Sequence, residues 1–136
     1  MGLTLYRRAH FNAAHRLFRP DWSDEKNREV FGKCSNPNYH GHNYELIVGV
    51  SGPIDPETGF VMDIGVLKQL INREVIEPLD HKNLNLEVAE FKELNPTVEQ
   101  IAQVIWRRMR PHLADHLGLE ITLYETPRNF VTYNGA

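Results

Sequence analysis

Residues 34–44 read Cys34-Ser35-Asn36-Pro37-Asn38-Tyr39-His40-Gly41-His42-Asn43-Tyr44, and they hold the only cysteine of the chain. A His-Gly-His triplet begins six residues after it. On a β-strand, residues two apart project from one face, so His40 and His42 can aim at a common point. Gly41 leaves no side chain between them, where the backbone passes close to whatever they hold. The same period of two runs on to Ser51. His42, Tyr44, Leu46, Val48 and Val50 fall on one face, and Asn43, Glu45 and Ile47 on the other. Two converging imidazoles point to a divalent metal, zinc first, because neutral imidazole nitrogen is a preferred zinc ligand. Such an ion needs a further protein ligand from elsewhere in the chain.

Upstream, residues 18–38 are polar and charged, with Pro20 and Pro37 near the ends. This reads as a long loop carrying Cys34 near its end, and long loops in small domains tend to be functional. Leu3 to Ala14 alternates as a first strand, and His15 closes it. Downstream, Gly52 to Gly59 is turn chemistry, so Phe60-Val61-Met62 is expected to return as a third, antiparallel strand. Asp63 caps a helix whose apolar positions are Ile64, Leu67, Leu70, Ile71 and Val75, ending near Pro78. Leu79 to Asn85 reads as a loop. Asn95-Pro96-Thr97 opens a second helix, with Thr97 and Gln100 as a capping box. Ile101, Val104, Ile105, Met109 and Leu113 form its buried stripe, and Gly118 suits the C′ position. Strands over Leu119–Glu125 and Phe130–Tyr133 close the chain. The order ββ(β)ααββ describes one α+β domain over residues 1–136, with two helices on one face of an antiparallel sheet.

Composition narrows the function. No apolar run approaches the ~20 residues that span a bilayer, and Met1 to Arg8 carries no apolar core of a secretory signal. A lone cysteine forms no intrachain disulfide and suits a reducing compartment. The net charge of −3, with basic residues scattered, offers no footprint for nucleic acid. A cytoplasmic protein acting on a small molecule or a protein partner is expected.

Seven histidines compete for the third ligand position. His112 and His116 stand four apart on the second helix, yet no glutamate completes a His-Glu-x-x-His pattern, and interaction with the helix dipole is the plainer reading. His10 points to the face opposite Phe11. His15 ends the first strand, and neighbouring antiparallel strands can bring it against His40 and His42. These three form a candidate zinc triad, with unrelated histidines as the alternative. Three ligands would leave a fourth position open for substrate, as in catalytic zinc sites. Cys34 is either an inert thiol or, with a cation close by, a thiolate able to remove a proton. Asp80-His81 reads as an exposed pair or as a proton relay. Glu125, at a strand end, is either a solvated charge or an anchor that accepts two parallel N–H bonds from a guanidine-like edge.

Five segments together resemble the 6-pyruvoyl tetrahydropterin synthase family. They are Phe11-Asn12-Ala13-Ala14-His15-Arg16-Leu17, Gly32 to Tyr44, Pro78 to Leu84, Asn95-Pro96-Thr97 and Tyr124-Glu125-Thr126, in the family's order along nearly the whole chain. The resemblance implies the tunnelling fold, in which three ββααββ units close a barrel and two trimers stack as a homohexamer. It implies that His15, His40 and His42 bind Zn2+, that Cys34 is the general base, and that Asp80 and His81 of a neighbouring subunit complete the relay. Glu125 would anchor the pterin, with Thr97 close to the ring. The implied substrate is 7,8-dihydroneopterin triphosphate, which loses triphosphate while internal proton shifts reduce the ring and oxidise the side chain. The six positions from Cys34 to His40 match the branch that makes 6-pyruvoyl tetrahydropterin. The alternatives are the 6-carboxytetrahydropterin synthases of queuosine biosynthesis, a zinc aldolase-type lyase sharing the pocket, and a non-catalytic pterin-binding module. Asn12, Ala14 and Val98 depart from the hydroxyl residues common at those places in the family.

Overall fold

A computed structural model describes residues 2–136; Met1 lies outside them. Two long strands, β1 (Leu3–His15) and β2 (His40–Gly52), pair antiparallel throughout, from Leu3 opposite Gly52 to His15 opposite His40. The period-two reading of β2 holds: Tyr44, Leu46, Val48 and Val50 are buried, while Asn43 and Glu45 face out. On β1 the inward residues at the far end are Phe11, Ala13 and His15. β4 (Gly118–Tyr124) pairs with the other edge of β2, and β5 (Phe130–Tyr133) pairs with β4, both antiparallel.

The sheet is mixed rather than wholly antiparallel. Lys82–Asn83, expected as loop, forms a two-residue strand, β3, parallel to β1, and the order is β3-β1-β2-β4-β5. The edge of β1 carries backbone groups that need partners, and even a two-residue strand satisfies some of them. Phe60–Met62 forms no strand. The segment closes on itself, with Gly59 N–H bonded to Asp55 O and Asp55 N–H bonded to Phe60 O. Both edges of β2 are already occupied by β1 and β4, so a strand returning alongside β2 has no edge of it to pair with.

The expected irregular loop at 18–38 contains α1 (Asp24–Phe31), capped by the Ser23 side chain on Lys26 N–H, then a 3-10 turn over Gly32–Ser35. α1 lacks the apolar stripe by which helices are recognised; its one buried residue is Asn27. That amide accepts from Arg19 N and donates to Arg19 O and Ser23 O, gathering the loop around itself.

The first predicted helix is present as α2 (Ile64–Ile71), a π-helical segment Asn72–Ile76, and α3 (Glu77–Leu79). Pro78 has no N–H for the carbonyl of Glu74, and Arg108 of the second helix donates to that carbonyl instead. A short α4 (Leu84–Glu87) follows β3. The second helix, α5 (Val98–Met109), buries Ile101, Val104, Ile105 and Met109. Only half of the expected capping box forms: Thr97 accepts from Gln100 N–H, while its own N–H goes to Asn95 O. Gly118 is not the C′ residue but begins β4. A 3-10 turn over Arg110–His112 extends α5, and the Arg110 guanidinium binds the carbonyls of Leu117 and Ala114 in the loop that follows.

These helices cover one face of the sheet, as the pattern requires. Leu67, Leu70, Ile71 and Val75 join the α5 stripe and the inward residues of β1, β2 and β4 in one core. Fully burying each such side chain is worth about 1.5–3 kcal/mol. The opposite face of the sheet stays open, with Tyr6 and Phe130 about half exposed. No helix among the described residues is long and apolar enough to cross a membrane.

Candidate metal centre

Register builds the site. His15 lies directly opposite His40, and His42 lies opposite Ala13, so three imidazoles meet at one end of the β1–β2 ladder, on its inner face. Their ring centroids are 4.6 Å (His15–His40), 5.0 Å (His15–His42) and 5.0 Å (His40–His42) apart. One nitrogen from each falls within 4.8 Å of the other two, the only such group of three potential ligands found among the described residues.

The hydrogen bonds decide which nitrogens are free. His15 is fully buried and its Nδ1–H donates to Pro96 O at 2.7 Å. That fixes the tautomer and leaves the Nε2 lone pair unprotonated, the arrangement common among metal-binding histidines. His15 Nε2 and His40 Nε2 are buried without a hydrogen-bond partner. Burial, opposed in part by the Pro96 bond and aided by the two neighbouring imidazoles, lowers the His15 pKa to about 4. Burial and His42 also lower His40. Both rings are therefore neutral at pH 7, the state that ligates a metal. Glu125 Oε2 stands 3.8 Å from His15 Nε2. With a neutral imidazole this contact is not an ion pair, since two acceptors face each other with no proton between them. A cation among them resolves the conflict, so the donor set fits a metal ion.

Other candidates gather round this point. Cys34, half-buried in its 3-10 turn, is tied to the end of β1 by Leu17 N–H to Cys34 O (2.8 Å) and Arg16 Nε–H to Ser35 O (2.8 Å). Tyr44 is fully buried, stacks on Phe11 at 4.9 Å and places its hydroxyl 3.4 Å from His15 Nδ1. Burial, then the nearby Glu125 and Cys34, raises the Tyr44 pKa, which keeps the hydroxyl protonated. Thr97 is placed by its capping role, one residue beyond the carbonyl that holds His15.

Asp80 and His81 stand apart. Asp80 Oδ1 accepts from Asn12 N–H at 2.9 Å, and its Oδ2 lies 3.0 Å from His81 Nδ1. The Asn12 bond, ahead of the His81 contact, holds the Asp80 carboxyl below its usual range. His81 adopts φ 59 and is 76% exposed, and no hydrogen bond among the described residues joins the pair to Cys34 or the triad. His42 and His81 do line one open groove of about 580 Å³. His112 takes no part in a metal site: it pairs with Glu74 at 2.6 Å. The residues not found from sequence are Pro96, which contributes only a carbonyl, and Asn85, whose amide holds the backbone of Arg16. Neither contribution has a motif.

The model of the family described as 6-pyruvoyl tetrahydropterin synthase matches residues 4–136. A 6-pyruvoyl tetrahydrobiopterin synthase of Pongo abelii is 46% identical over 129 residues, covering 95% of this chain and 89% of that one. The solved Caenorhabditis elegans 6-pyruvoyl tetrahydropterin synthase superposes with a TM-score of 0.92 at 38% identity, covering 98% and 96% of the two chains. A Haemophilus influenzae 6-carboxy-5,6,7,8-tetrahydropterin synthase is 29% identical over 123 residues, 75% of this chain and 84% of that one.

Proposed function

The chain belongs to the 6-pyruvoyl tetrahydropterin synthase family, and from that premise we propose that it converts 7,8-dihydroneopterin triphosphate to 6-pyruvoyl tetrahydropterin with loss of triphosphate. The observation that carries the reading is the meeting of His15, His40 and His42, two of them with orphaned buried nitrogens, beside the Cys34 turn and Glu125. His15, His40 and His42 would hold a zinc ion, which would supply Lewis acidity toward the side-chain hydroxyls of the substrate. Cys34 Sγ takes the proton from carbon, and the C–O bond to triphosphate breaks. Further proton shifts move hydrogen from the side-chain carbons to the ring, so the side chain is oxidised, the pterin is reduced, and no external reductant enters. Glu125 accepts two parallel N–H bonds from the 2-amino group and ring nitrogen. Thr97 accepts from Gln100 and keeps its hydroxyl proton to donate to the ring.

Asp80 and His81 act as the relay that returns protons, and they serve a neighbouring subunit. Their exposure and their separation from this chain's own thiol support that assignment. The open sheet face and the free edges at β3 and β5 suit a trimer closed as a barrel, two of which stack as a hexamer. The lone cysteine suits the cytosol.

The test is product analysis with zinc-loaded protein and the dihydroneopterin triphosphate. Triphosphate and 6-pyruvoyl tetrahydropterin are expected, without acetaldehyde. Acetaldehyde in step with triphosphate would assign the carboxy product instead, and binding without triphosphate release would leave only a pterin-binding module.

A further inference from the structure

β1 must end at His15 with the ring held still, yet its partner strand on that side runs out first. β3 pairs Ala13 with Lys82 and Ala14 with Asn83, then turns into α4 at Leu84. We infer that Asn85 is a positioning residue whose side-chain amide replaces the missing strand at Arg16 and so fixes both His15 and the Cys34 turn. Asn85 Oδ1 accepts from Arg16 N–H at 2.8 Å, and its Nδ2–H donates to Arg16 O at 2.9 Å.

A carboxamide has the shape and polarity of a peptide unit. Asn85 stands 69 residues from Arg16, the same offset as the β3 pairs, so its side chain continues the parallel ladder in register. The pairing also settles which end of the amide is oxygen, since Arg16 N–H can only donate. Arg16 is the hinge of the site. On one side it adjoins His15. On the other, its Nε–H bonds Ser35 O, and the next residue, Leu17, bonds Cys34 O. Holding the Arg16 peptide therefore sets the distance between metal ligand and thiol, although Asn85 is not one of the three candidate ligands.

The inference rests on the metal-site reading, so the test separates the two. Cobalt(II) is titrated into metal-free protein against a chelator, and the visible d–d bands report the ligand geometry independently of turnover. Asn85→Ala is expected to bind cobalt roughly tenfold more weakly than wild type, the lower range for groups that orient metal ligands. Its bands should shift and its Cys34 alkylation rate change. Asn27→Ala removes the same kind of amide, one that pairs with both backbone groups of Arg19. It should lose stability while keeping wild-type cobalt affinity and bands. If Asn85→Ala does not fold, Asn85→Gln keeps the amide but moves it out of register, and a several-fold loss of affinity is expected. Wild-type affinity and bands in a folded Asn85 variant, or an equal change in Asn27→Ala, overturn the inference alone. A wild-type protein that binds no cobalt overturns the metal site and this inference with it.

Discussion

Replacing His40 by alanine separates a metal ligand from an ordinary core histidine. In the metal-free protein, His40 Nε2 is buried with no partner, so its loss removes an unsatisfied polar atom. Lost packing against the rings of His15 and His42 offsets that gain. The metal-free variant should stay within about 1 kcal/mol of wild type. Zinc at a free concentration a hundred times Kd stabilises the wild type by about 2.7 kcal/mol through mass action. At ~2.1 cal/mol/K per residue, 136 residues unfold with an entropy of ~0.29 kcal/mol/K, so Tm should rise by ~9 °C. With His40 gone, two imidazoles remain and the rise at the same zinc concentration should fall below ~2 °C. Scanning calorimetry at fixed protein concentration, after chelator treatment and again after adding zinc, reads all four values. A zinc-induced rise equal in both proteins would refute the reasoning, as would a metal-free variant many degrees below wild type.

Other outcomes follow from the same geometry. Cys34→Ala should retain zinc, since the thiol is no ligand, and lose triphosphate release by at least two orders of magnitude; a metal assay beside a phosphate assay checks this. Glu125→Gln keeps one acceptor but loses the charge, and kcat/KM for the pterin substrate should drop roughly 10–100-fold, from ~1.5–3 kcal/mol for a charge-assisted bond. Arg108 grips Glu90 with two 2.7 Å bonds and, chiefly through them, lowers the Glu90 pKa. A depressed carboxylate pKa adds stability above the unfolded pKa, and that stability is lost as pH falls through the folded one. Both groups are partly exposed, so Glu90→Gln should cost at most ~1 kcal/mol at pH 7, and the cost should shrink as pH falls below the usual carboxylate range, read from urea midpoints. Ser23→Ala removes the N-cap of α1 and should cost about 1 kcal/mol at every pH.

Much of the site is legible in residues 34–44, because the period of a strand is local. Two positions apart means one face, whatever the strand packs against, and so His40 and His42 share a direction before any fold is known. The helices of the core are legible for the same reason, their apolar residues repeating with the turn of the helix. α1 escaped that reading because a helix organised around one buried asparagine has no stripe to find. The expected strand at Phe60–Met62 failed because strand pairing is decided by which edges are vacant, and that is a property of the whole sheet.

The sequence by itself determined the residue types of the centre, the shared face of His40 and His42, and the kinship with pterin synthases. Only the tertiary structure decided that His15 stands opposite His40, that Pro96 takes the Nδ1 proton, and that Glu125 faces the freed Nε2. Those facts depend on register and on backbone carbonyls brought close from distant segments. A carbonyl is the same in every residue, so no pattern of side chains announces which one will meet a histidine.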